Sequence, residues 1–131
     1  MKKVSGVRLI VAGIGLLAAM AGMAASSVQK PMPGTRAHFS ILSAYLDDET
    51  GHVIAVSETM WPKSGPSYSK YEVDCLGQSF RYLASGSTPE DLKIPRPDPR
   101  MTALVEGSAS FWITMEACRQ VGNELSRQAG D

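Results

Sequence analysis

The sequence predicts an α+β fold: a small antiparallel sheet of four to six strands, with a C-terminal helix packed on one face and a disulfide from sheet to helix. Three observations carry that expectation. Between Ala37 and Ala84 apolar residues recur in short β-type runs, parted by polar, glycine- or proline-bearing stretches. After Ser108 the apolar spacing changes to that of a helix. The two cysteines of the chain, Cys75 and Cys118, fall one in each regime.

The chain opens with an export signal. Lys2, Lys3 and Arg8 form a basic head, and every residue from Leu9 to Ala25 is apolar or glycine. Gly22 and Ala24 supply the small side chains of a cleavage site, so residues 1–24 read as a signal peptide cut after Ala24. As a helix the apolar run spans roughly 25 Å, short of the hydrocarbon layer of a membrane. No cysteine lies near the cleavage site to take a lipid. The expected product is periplasmic or secreted, with no stable membrane insertion.

Residues 25–36, with Pro31, Pro33 and Gly34, read as a flexible lead-in. Ala37 to Leu46 suits a strand, and Asp47-Asp48-Glu49-Thr50-Gly51 a hairpin loop. His52 to Met60 returns as a second strand, and Trp61 to Ser67 reads as a loop. From Ser69 to Cys75 the alternation is clean, with Tyr71, Val73 and Cys75 on one face and Lys70, Glu72 and Asp74 on the other. In the next strand Phe80, Tyr82 and Ala84 share a face, with Arg81 opposite. Thr88-Pro89 starts one helical turn. Pro95, Pro97 and Pro99 then hold an extended loop, and Met101 to Val105 returns to the sheet. Ser108 or Ser110 caps the last helix, whose inward stripe is Phe111, Met115, Cys118 and Leu125, with Trp112 and Val121 at its flanks. Gly122-Asn123 is its expected stop, which makes 37–122 the domain and 123–131 a tail.

Composition narrows the function. The signal takes three of the 13 basic residues and none of the 13 acidic ones, leaving ten against thirteen, a charge of −3. That balance argues against nucleic acid as a partner. An even cysteine pair in an exported chain reads as a disulfide, worth roughly 4 kcal/mol in the chain-entropy model. The two cysteines and two histidines lack metal-ligand spacing, and nothing calls for a cofactor. His38 and His52 have no serine or carboxylate at a telling spacing and read as surface or strand-edge residues. Asp47-Asp48-Glu49 lacks the alternation of a calcium loop and reads as a solvated turn. The chain is therefore expected not to be an enzyme. The best exposed recognition element is the loop Lys93 to Arg100 (KIPRPDPR), whose Lys93, Arg96, Asp98 and Arg100 can meet a protein partner.

Tyr71 to Tyr82 (YEVDCLGQSFRY) resembles the surface-adhesion protein E family of exported bacterial domains. The shared pattern is an acidic-x-Asp-Cys strand with an arginine six positions after the cysteine, here Glu72, Asp74, Cys75 and Arg81. A variable proline-containing stretch and a helix carrying a second cysteine follow in the family, as Gly86 to Gly107 and Cys118 do here. The resemblance implies a non-catalytic binding or surface-adhesion protein of the bacterial envelope, with envelope or extracellular-matrix proteins as partners. This chain has no lysine-rich face, so no ligand-binding residue carries over. A secreted protease inhibitor presenting residues 93–100 is the alternative.

Overall fold

A computed structural model describes residues 28–130, so the expected signal peptide lies outside the described residues. Six strands follow one another: β1 (Lys30–Pro31), β2 (His38–Leu46), β3 (Val53–Trp61), β4 (Gly65–Asp74), β5 (Ser79–Gly86) and β6 (Thr102–Ala103). They lie side by side in chain order, and every neighbouring pair is antiparallel. A single 3₁₀ turn (Pro89–Lys93) follows β5, and the helix α1 (Ala109–Gly130) packs on one face of the sheet. The predicted α+β architecture is the observed one.

Tight turns set the meander. At the first hairpin Asp47 accepts bonds from the Glu49 N–H and the Thr50 hydroxyl, and Gly51 takes a positive φ of 75° that an L side chain resists. The second hairpin is shorter than the loop expected for Trp61 to Ser67. Both strands run through it, and Gly65, at φ 77°, lets Pro62–Ser64 close the turn.

Two cross-strand rows build the core face: Leu46, Val53, Val73 and Phe80, then Ala44, Ala55, Tyr71 and Tyr82. Phe39 and Ile41 extend it, and the Tyr71, Phe80 and Tyr82 rings pack on one another. Val73 and Ala55 have no exposed surface, so this is the centre of the molecule.

Four expectations are corrected. The lead-in is not flexible from Lys30 onward: β1 pairs with β2, and Met32 is 1% exposed in the core. Ala84 does not share the face of Phe80 and Tyr82. A bulge sets Tyr82 opposite Tyr71 but Ala84 opposite Lys70, and this extra residue turns Ala84 to the other face. The helix buries Ile113, Thr114, Ala117 and the expected flank residue Val121, while Phe111 and Met115 are only partly buried. Ala117, fully buried, allows the helix to lie close to the sheet, and Leu125 is left 44% exposed. Finally, Gly122-Asn123 does not stop the helix, and residues 123–130 continue it. Glycine costs a helix only about 1 kcal/mol, and Glu124 bonds to Arg127 and Gln128 on the far side of it.

Cys75, just past the end of β4, is bonded to Cys118 on α1, with 6.0 Å between their Cα atoms. The predicted sheet-to-helix disulfide is present.

Candidate functional site

A groove of about 770 Å³ lies between β2 and the C-terminal half of α1. It exists because β1 is only two residues long. That strand pairs with His38 and Phe39, and among the described residues none pairs with Leu42–Leu46 on the side away from β3. Leu42 and Leu46 (37% and 38% exposed) lie along the floor, and Leu125 lines it from the helix. Residues 123–130 form much of the far wall, so the unexpected length of the helix creates the site.

The charges of the wall are mostly spent on one another. Glu116 accepts from Arg119 and Gln120 and lies 3.8 Å from Lys30, while Glu124 accepts from Arg127. Burial alone would raise the Glu116 pKa, but the bonds from Arg119 and Gln120 and the charge of Lys30 hold it below the usual carboxylate value. Asp48, at the end of the groove beyond Leu46, has no ion-pair partner among the described residues.

The opposite face of the sheet carries a charged relay. Glu72, 9% exposed, accepts from Arg81 Nε at 2.8 Å and meets His52 Nδ1 at 2.7 Å. Arg81 also donates to the Asp98 carbonyl at 2.9 Å, and the second His52 nitrogen lies 3.9 Å from Asp74. The hydrogen bond with His52, and then Arg81, outweigh burial and lower the Glu72 pKa. Glu72 and Arg81 thus tie three elements together, Asp74 caps the next turn by accepting from the Gly77 N–H, and Cys75 holds the helix.

His52 stands at the edge of β3, in keeping with the surface or strand-edge reading, but it is hydrogen-bonded to Glu72, which that reading did not foresee. Register is what sequence reading lacked: His52 directly precedes Val53, which sits opposite Val73, and this brings its ring to Glu72. His38 stands at the other end of the same hairpin, opposite Met60, so the two histidines are not brought together. Among the described residues no three His, Cys, Asp or Glu gather as metal ligands, and neither described cleft is lined by His52.

The proline loop is exposed at Lys93, Arg96, Asp98 and Arg100, yet its backbone is committed. Arg96 N–H donates to Leu83 O and Asp98 N–H to Tyr82 O, each at 2.9 Å, and the Asp98 carboxylate accepts from Tyr82 N–H. The loop extends the sheet along β5. Pro95 and Pro97 flank the donating residues, at the positions whose N–H groups would face away in an extended chain. That outer side therefore offers few donors to another strand.

No protein-family profile, curated protein or solved structure matches the chain. Among the described residues no helix is long and apolar enough to cross a membrane.

Proposed function

We propose that the chain is an exported, non-catalytic binding protein of the bacterial envelope, of the surface-adhesion protein E type, which holds a protein partner at the groove between β2 and α1. One observation carries this reading: a strand edge with which no strand pairs among the described residues lies beside exposed leucines in a groove large enough to hold a segment of another chain. The disulfide supports an oxidising destination. The antiparallel sheet, the C-terminal helix and the cysteine bond between them agree with the layout that the resemblance implies.

Inhibition of proteases through residues 93–100 finds less support. A substrate-like loop needs free backbone donors, and the Arg96 and Asp98 N–H groups are already bonded to β5. The test is a binding screen of the exported protein against envelope and extracellular-matrix proteins, run beside a Leu46→Glu variant. Saturable binding that the variant loses is the expected result. No ligand in either set would remove the binding role.

A further inference from the structure

We infer that the groove recognises its partner by strand addition: an extended segment of about five residues pairs with Leu42–Leu46, antiparallel to β2, with a basic residue at its N-terminal end. This inference rests on the binding role proposed above and specifies the chemistry of what is bound.

The two edges of the sheet differ in kind. Along β5 the far edge is covered from Ser79 to Leu83: β6 pairs with Ser79 and Phe80, and the proline loop bonds Tyr82 and Leu83. Its prolines then deny donors to anything further out. On the other side the cover by described strands stops with β1, and among the described residues no strand pairs with the outward edge of Leu42–Leu46, which lines the groove. A strand laid there gains main-chain bonds on one side and covers Leu42, Leu46 and Leu125 on the other.

Charge selects the occupant and its direction. Lys30 and Arg119 share the one carboxylate of Glu116, and Arg127 pairs with Glu124, so the wall away from Asp48 keeps a single excess positive charge. Of the charged residues that line the groove, Asp48 is the one without an ion-pair partner among the described residues, and it lies past the C-terminal end of β2. In the antiparallel arrangement that the rest of this sheet uses, the N-terminus of an added strand reaches that end. A lysine or arginine there meets Asp48. Apolar residues at alternate positions then face the leucines, because strand side chains alternate with period two.

The probe is a blocked hexapeptide, Lys-Val-Thr-Val-Thr-Val, titrated into the processed exported protein with fluorescence anisotropy as the readout. Saturable binding is expected. Moving the lysine to the C-terminal end weakens it ~2- to 5-fold, the size of one exposed ion pair. Replacing the central valine by proline abolishes it. With the Asp48→Ala protein, an exposed turn variant that leaves the strands intact, the two lysine placements bind equally. Four outcomes overturn the proposal: no binding at millimolar peptide, no effect of proline, lysine placement that matters equally without Asp48, or sedimentation showing that a second copy of the chain occupies this edge. Capture of a whole partner protein that the Asp48→Ala and Leu46→Glu variants leave unchanged would sink strand addition and leave the binding role standing.

Discussion

Glu72 brings an imidazole and a guanidinium to one carboxylate that is almost out of contact with water, and it is the residue on which the outer face turns. Removing its charge leaves Arg81 with the Asp98 carbonyl alone and loosens the tie between sheet and proline loop. Glu72→Gln is expected to cost about 1–3 kcal/mol in urea unfolding, the usual penalty for leaving a charged partner unsatisfied. The pH dependence has a definite sign. The folded pKa of Glu72 lies below its unfolded value, so its contribution is complete above the ordinary glutamate range near pH ~4.3 and is lost as pH falls through the folded value. Glu116 acts in the same direction. Urea midpoints should therefore hold steady above pH ~5 and drop below it, with a shallower drop in Glu72→Gln; an unchanged acid slope in that variant would refute the assignment. Tyr71 gives no comparable signal, because burial and then the Tyr82 phenol keep its hydroxyl protonated throughout the range.

The elements were legible where each carried its own pattern, and less so where a partner decided. Tyr71 and Val73 alternate against Glu72 in the sequence, and they are buried as that alternation requires. Ala84 obeys the same alternation on paper, but the bulge that reverses it is set by pairing with β4 and leaves no local mark. Met32, between two prolines, reads as a linker residue until β2 is beside it. The groove was invisible for the same reason: its floor is an expected strand, but its wall is a stretch of helix beyond a glycine that looked like a stop. The disulfide ties the two kinds of element together. Reduction of Cys75–Cys118 should cost about 2–5 kcal/mol, read as the difference in urea midpoint with and without reductant. Equal midpoints would mean that packing of Ile113, Ala117 and Val121 holds the helix unaided.

At the scale of the whole molecule the proline loop guards one side of the sheet, while among the described residues no strand pairs with Leu42–Leu46 on the other, and the proposed binding role rests on this asymmetry. Two open edges let a sheet pair in both directions, whereas guarding one edge confines pairing to a single side. Replacing Pro95, Pro97 and Pro99 together by alanine restores three donors along the guarded side. The variant should associate as concentration rises while the parent does not, as sedimentation would show; a monomeric variant would remove the guarding role. The central claim is that the partner adds to β2 and not to the proline loop. The most direct measurement is the amide NMR spectrum of the protein as the Lys-Val-Thr-Val-Thr-Val peptide is added. The account predicts that the signals of Leu42–Leu46 and Leu125 move and that the outward amides of β2 become protected from exchange. Shifts confined to Lys93–Arg100, or spread evenly over the sheet, would contradict it.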